Sequence, residues 1–266
     1  MRAGDILLNT ARIEAWPGGL LRARGNHDAR LLAGADRVLR RKQDGRYLAV
    51  VADGALQPLR PIFASAPGLD ETMTLIAGFR PHRRPGMEAV PLLPLQRLRE
   101  RLDQIGIDGD DYAARTGLAL VPEPQWLVLA GFDRFRRPLW LHADAALAWT
   151  GMQADALRDG VVLEAISGYR SHDYQLGIFE RKLAQGQAVD GILTVNAAPG
   201  YSEHHSGLAL DIGTPDEPPA EESFEATPAF AWLQANAGAH GFGLSYPRGN
   251  PHGIAYEPWH WALATA

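Results

Sequence analysis

The chain contains no cysteine, so no disulfide braces it, and any metal it holds must be bound through His, Asp or Glu. A disulfide-free protein survives in oxidising and reducing space alike, so this absence leaves the compartment open. No run approaches the ~20 apolar residues that a membrane span requires. The N-terminus, Met1-Arg2-Ala3-Gly4-Asp5-Ile6-Leu7-Leu8-Asn9-Thr10, is interrupted by Asp5 and Asn9 before an apolar stretch builds up. No secretory signal is therefore expected: the location is cytoplasmic if Met1 is the true start, and the cell envelope otherwise. Positive charge is also scarce. The 26 Lys and Arg against 31 Asp and Glu leave a formal net charge of -5, which argues against a nucleic-acid partner. One basic run, Arg80-Pro81-His82-Arg83-Arg84, stands apart and reads as a solvated loop. The helical zinc signature His-Glu-x-x-His is missing, and so is any internal repeat.

What remains is an ordinary globular composition, with 46% hydrophobic and 21% charged residues over 266 positions, enough for one large domain or two modest ones. Up to about residue 90, short apolar pieces alternate with turns. Residues 46–52 read as a strand, Asp53-Gly54 as a hairpin turn, and 59–64 as the partner strand, confined to an edge by Pro61. From Pro94 to Ile105, Leu95, Leu98, Leu102 and Ile105 recur at helical spacing. The acidic run 108–111 lacks the alternation of a calcium loop. Further on, 142–158 reads as an Ala-rich helix stopped by Gly160, and 161–166 as a buried strand. Residues 173–185 read as a helix, 208–212 as a strand, 214–222 as a Pro-rich loop and 230–239 as a helix, with a last strand over 254–263 interrupted by Pro258. Helices mixed with short, non-repeating strands indicate an α+β fold.

Three clusters in the last hundred residues carry chemistry. The first is Ser167-Gly168-Tyr169-Arg170-Ser171, where a guanidinium at a strand end suits a carboxylate or a developing oxyanion. The second runs from Ser202 to Asp211. A hydrolytic zinc ion takes three protein ligands and a water. His204 and Asp211 lie seven apart, and Gly207 between them lets the chain turn so that both face one point. Asp211 sits inside an apolar strand, where a carboxylate needs a partner. His205 competes as a ligand on composition alone. The third cluster, Tyr256-Glu257-Pro258-Trp259-His260-Trp261, places a histidine between two tryptophans and a Glu three residues earlier. Apolar walls raise a carboxyl pKa and make Glu257 a candidate general base.

Taken together these clusters resemble the VanY-like D-alanyl-D-alanine carboxypeptidases of the vancomycin-resistance type. That family is marked by Ser-Gly-Tyr-Arg-Ser followed by a Gln, then Ser-x-His-x-x-Gly-x-Ala-x-Asp, then Glu-Pro-Trp-His-Trp. Here they stand, in order, as Ser167–Ser171 with Gln175, as Ser202–Asp211 and as Glu257–Trp261, and Ser245-Tyr246-Pro247 also looks like the stretch before the last motif. The resemblance covers about residue 120 to the C-terminus. It implies one Zn2+ ion held by His204, Asp211 and His260, Glu257 as the base and Arg170 as the transition-state stabiliser. It also implies substrate contacts from Gln175 and Ser202, and we read Tyr169 and Trp259 in the same motifs as substrate-binding. His205 falls on a variable position and is not implied as a ligand.

The implied fold is a small antiparallel sheet flanked by helices, of the hedgehog/DD-peptidase type, over residues 116–266. Residues 1–115 form an accessory region of mixed, partly β character. The implied activity is hydrolysis of the terminal D-Ala-D-Ala bond of peptidoglycan stem peptides, the peptide being the partner. The alternatives are an L,D-carboxypeptidase, a D,D-dipeptidase, a peptidoglycan endopeptidase or, from another class, a non-catalytic zinc-binding module that binds the wall.

Overall fold

The computed structural model describes residues 6–21, 25–59, 66–80 and 90–264. The α+β class expected from the sequence is the one adopted, with antiparallel sheets and helices in two compact units. The first unit holds the residues up to Leu93 together with Pro124–Leu129. The second holds Pro94–Glu123 and Ala130–Ala266. The basic run at Arg80–Arg84 lies outside the described residues after Arg80. Among the described residues, no helix is long and apolar enough to cross a membrane.

The first unit is an antiparallel meander of β1 (Ile6–Asn9), β2 (Ile13–Pro17), β3 (Arg37–Arg41), β4 (Tyr47–Ala52) and β5 (Ala55–Pro58), with the start of β6 (Trp126–Phe132) paired to β1. The register Leu8↔Ala15, Ala15↔Leu39 and Leu39↔Ala49 stacks one apolar row across it. Helix α2 (Leu69–Gly78) covers that row with Met73 and Ile76. Helix α1 (Asn26–Ala33) buries no residue. The hairpin turn forms at Asp53 and Gly54, both at positive φ (50° and 75°). The partner strand, however, is Ala55–Pro58 and not 59–64. A two-residue turn of this kind pairs the strands from its first flanking residues, so the return strand has no room to start later. Of the span 59–64, only Leu59 is described.

The second unit is built on a sheet of order β10-β11-β9-β8, antiparallel throughout. Its strands are β8 (Glu164–Ser167), β9 (Ala209–Gly213), β10 (Phe242–Leu244) and β11 (His260–Leu263), preceded by β7 (Pro138–Leu141). Helix α5 (Ala143–Arg158) matches the Ala-rich helix read from the sequence, capped by His142 and stopped before Gly160 at φ 77°. Helices α3 (Gln96–Gln104) and α4 (Gly109–Thr116) lay Leu98, Leu102 and Tyr112 on Leu176 and Phe179 of α6 (His172–Ala184), together with Ile192 of α7 (Val189–Leu193). The acidic run 108–111 opens α4: the Asp108 carboxylate accepts from the amides of Asp110 and Asp111, both at 3.0 Å.

Helix α8 (Pro228–Asn236) is shorter than the expected 230–239, because the chain tightens into a 3-10 turn at Ala237–His240. The expected strand 161–166 begins only at Glu164. The last strand is likewise short, His260–Leu263. Pro258 has no amide to give a ladder, and the chain turns there, with the His260 amide on the Glu257 carbonyl at 3.1 Å.

Candidate metal centre

Neighbouring strands bring the candidate ligands together. Asp211 on β9 lies directly opposite His260 on β11, and opposite Ser167 on β8 across a register shift. His204 arrives from a 3-10 turn, Glu203–Ser206, which ends in Gly207 at φ 73°. A left-handed residue is what the chain needs there to reverse into β9. His204, Asp211 and His260 are all buried, and each offers a ligand atom within 4.8 Å of the others.

Hydrogen bonds fix which nitrogen each imidazole turns inward. His204 Nδ1 donates to the Gly168 carbonyl at 2.7 Å, leaving Nε2 aimed at Asp211 Oδ1 at 3.2 Å. His260 Nε2 donates to Glu203 Oε2 at 2.8 Å, leaving Nδ1 aimed at the same Asp211 oxygen, also at 3.2 Å. Two ring nitrogens thus converge on one carboxylate oxygen, and each becomes a metal-ligating acceptor once it carries no proton. Acceptors converge in this way around a cation, and the outer bonds to a carbonyl and a carboxylate are the usual orienters of metal-ligating histidines. The donor set is therefore fit for a divalent metal.

The charges agree. Burial and the Arg170 charge lower the His204 pKa to about 4, so its ring is neutral near pH 7. Asp211 is held well below the usual carboxylate range: burial opposes this, and His204 and Arg170 outweigh it. Burial also opposes protonation of His260, yet hydrogen bonds to Asp211 and Glu203 raise its pKa to about 9, a sign of how strongly two carboxylates draw positive charge to this point. Burial pushes the Glu257 carboxyl up to about 7, with Asp211 adding to the rise. Its Oε2 stands 3.9 Å from His260 Nδ1, and its own amide is tied to the Tyr246 carbonyl at 3.1 Å.

The other residues singled out in the sequence lie as follows. Arg170 Nη1 is 3.4 Å from Asp211 Oδ2, and its buried Nε has no hydrogen-bond partner among the described residues. Gln175, on α6, donates to the Ala197 carbonyl at 3.1 Å and keeps a buried Oε1 without a partner there. Ser202 is buried just before the 3-10 turn. Trp259 is half-buried, and its carbonyl accepts from the Ile212 amide at 2.8 Å. The Tyr169 hydroxyl donates to Glu123 at 2.5 Å.

His205 is outside the triad. Its ring is buried, with Nδ1 donating to the Arg170 carbonyl at 2.6 Å and Nε2 accepting from the Gly200 amide at 3.0 Å. Sequence reasoning assigned no role to Glu203, which orients His260, or to Tyr246 of the Ser245-Tyr246-Pro247 stretch, whose ring lies 4.8 Å from that of His260. Glu203 sits beside His204 in the sequence, yet nothing local tells that its partner is 57 residues away.

The VanY family model, described as D-alanyl-D-alanine carboxypeptidase, matches residues 138–265. YodJ of Bacillus subtilis (strain 168) is 35% identical over 149 residues, covering 52% of this chain and 53% of its own. The chain therefore spans about half the length of that relative. VanXYC of Enterococcus gallinarum, a bifunctional D-Ala-D-Ala dipeptidase and carboxypeptidase, is 30% identical, covering 52% of this chain and 73% of its own. A solved structure of the LdcB LD-carboxypeptidase is 33% identical, covers 53% of this chain and 69% of that one, and superposes with a TM-score of 0.49. The chain belongs to the VanY family of D-alanyl-D-alanine carboxypeptidases.

Proposed function

We propose that the protein is a zinc-dependent carboxypeptidase that removes the terminal D-alanine from peptidoglycan stem peptides or their precursors. The observation that carries this reading is the convergence of His204 Nε2 and His260 Nδ1 on Asp211, with the Glu257 carboxyl beside them. His204, Asp211 and His260 would hold one Zn2+ ion. Bound there, zinc supplies Lewis acidity toward a carbonyl and lowers the pKa of water.

The chain's own groups do the rest. Glu257, poised near neutrality, takes a proton from the attacking water and passes it to the nitrogen of the departing D-alanine. The Arg170 guanidinium faces negative charge developing on the scissile carbonyl oxygen. Gln175 Oε1 offers an acceptor to a substrate N–H, Ser202 contributes beside it, and Trp259 supplies an apolar wall that excludes water. Tyr169 acts in substrate binding through the loop that carries Arg170, since its hydroxyl is engaged by Glu123. Residues 116–266 form the catalytic region and residues 1–115 an accessory region. Helices α3 and α4, up to Thr116, share the core of the second unit and so support the catalytic side.

The test is a metal analysis of the purified protein together with assays on a D-Ala-D-Ala pentapeptide, a tetrapeptide and the free dipeptide. Stoichiometric zinc and release of D-alanine from the pentapeptide are expected. Cleavage of the tetrapeptide or the dipeptide alone would reassign the enzyme to L,D-carboxypeptidase or D,D-dipeptidase chemistry, and no cleavage of any of the three would overturn the reading.

A further inference from the structure

The Arg170 guanidinium reaches Asp211 Oδ2 at 3.4 Å, and the loop that carries it is also held from outside its own motif. The restraint comes from residue Glu123, which precedes the stretch matched by the family model, 138–265. The Glu123 carboxylate is almost fully enclosed, at 3% exposure. One oxygen, Oε2, accepts from the Tyr169 hydroxyl at 2.5 Å. The other, Oε1, accepts from the His172 amide at 2.7 Å and faces His172 Nδ1 at 3.2 Å. The same ring donates from Nε2 to the Val121 carbonyl at 2.8 Å, and the Val121 amide is tied to the Gly200 carbonyl at 2.7 Å.

One carboxylate therefore grips the residue before Arg170 and the residue two after it. His205 closes the ring from the other side. Its Nδ1 holds the Arg170 carbonyl, and its imidazole meets that of His172 edge-on, with centroids 4.5 Å apart. The Arg170 amide itself donates to the His204 carbonyl at 3.3 Å, which links this loop to the metal-ligand turn. A buried carboxylate with so many donors around it is costly to leave half-satisfied, so the arrangement is rigid.

We propose that Glu123 is a positioning residue for Arg170: by clamping Tyr169 and His172 it sets the place from which the guanidinium meets the substrate. This rests on the reading of the protein as a carboxypeptidase that uses Arg170. The Glu123 oxygens engage Tyr169 and His172, which stand on either side of Arg170, so its effect passes through the loop.

The test compares Glu123→Gln, Tyr169→Phe and Arg170→Ala, and the double variant Glu123→Gln/Arg170→Ala. A glutamine keeps the shape, but its amide nitrogen must face either the Tyr169 hydroxyl or the His172 amide, and the latter can only donate. Glu123→Gln is expected to lower kcat/KM at least about tenfold, Tyr169→Phe about threefold, and both to keep zinc affinity in a chelator competition within about twofold. With Arg170 already removed, adding Glu123→Gln should change kcat/KM by less than about twofold.

If the substitution costs the Arg170→Ala enzyme as much as it costs the unaltered one, or lowers zinc affinity in step with activity, Glu123 is a structural residue and the proposal is overturned. Should the unaltered protein cleave no stem peptide, the reading of its function fails, and amide hydrogen exchange decides the anchor by itself. Faster exchange at Arg170 and His172 in Glu123→Gln, with the rest of the protein unchanged, supports it. Equal protection in both proteins overturns it.

Discussion

Glu14 and Asp211 are both buried carboxylates, one in each compact unit, and they are served very differently. Glu14, on β2, is opposite Arg40 in the β2–β3 register. It accepts from that guanidinium and from the Trp16 indole, both at 2.8 Å. Its charge is answered by neighbours that the sheet itself supplies. Asp211 is opposite His260, and the two imidazoles around it are turned by Gly168 and Glu203 so that His204 Nε2 and His260 Nδ1 both point at its Oδ1. The Arg170 guanidinium faces it at the long distance of 3.4 Å. The first unit uses buried charge to tie strands together, and the second concentrates it for chemistry.

The sharpest way to break that contrast is to remove the carboxylate. Asp211→Ala should lose stoichiometric zinc and fall to background turnover, a loss of about 10³-fold or more. Amide exchange in β1–β5 should stay as in the parent. If the variant retained zinc and activity, the contrast would have no functional meaning.

The next prediction concerns protons. His260 is raised to about 9, so at neutral pH a metal must displace a proton from it. Apparent zinc affinity, measured with a competing chelator, should climb about tenfold per pH unit from pH 6 to 8. A flat profile would mean that the ring is already neutral and that Glu203 does not hold it as described.

A smaller effect tests Glu257 without activity. Its folded pKa, about 7, exceeds the ordinary 4.5, so the fold favours the protonated form. That stabilisation is complete below about pH 4.5 and is lost as pH rises through about 7. Metal-free Glu257→Gln should therefore melt with the parent near pH 4.5 and roughly a few degrees above it at pH 8. Identical melting at both pH values would show that burial does not perturb the carboxyl.

The smallest expected effect lies in the first unit. Glu14→Gln should lower the melting temperature by roughly a few degrees and leave kcat unchanged. A loss of turnover there would end the separation drawn between the two units.

What the sequence made legible depended on range. Helix α5 was readable because its signals, an Ala-rich run and a stop at Gly160, are local. The three motif clusters were readable because each is short and ordered. The return strand of the β4 hairpin was misplaced because Leu59–Ala64 carries a stronger apolar pattern than Ala55–Pro58, and turn geometry decided against it. Most strands of the first unit are only four to six residues long, too short for periodicity to speak. The roles of Glu123 and Glu203 were illegible for another reason. Each works through a partner 46 to 57 residues away, and a carboxylate looks the same in sequence whether it faces water or a histidine.

Gly168 shows how little separates sheet packing from metal affinity. A β-carbon there would lie 2.8 Å from Leu139, 2.9 Å from Leu141 and 2.9 Å from the Trp140 carbonyl oxygen, so the chain would have to shift. Its carbonyl is the one that orients His204. One added methyl group, far too small to reach the substrate and carrying no charge, would thus disturb the carbonyl that holds the His204 ring, and, on the proposed ligand set, an alanine at this bare spot should read out as a weakened grip on zinc.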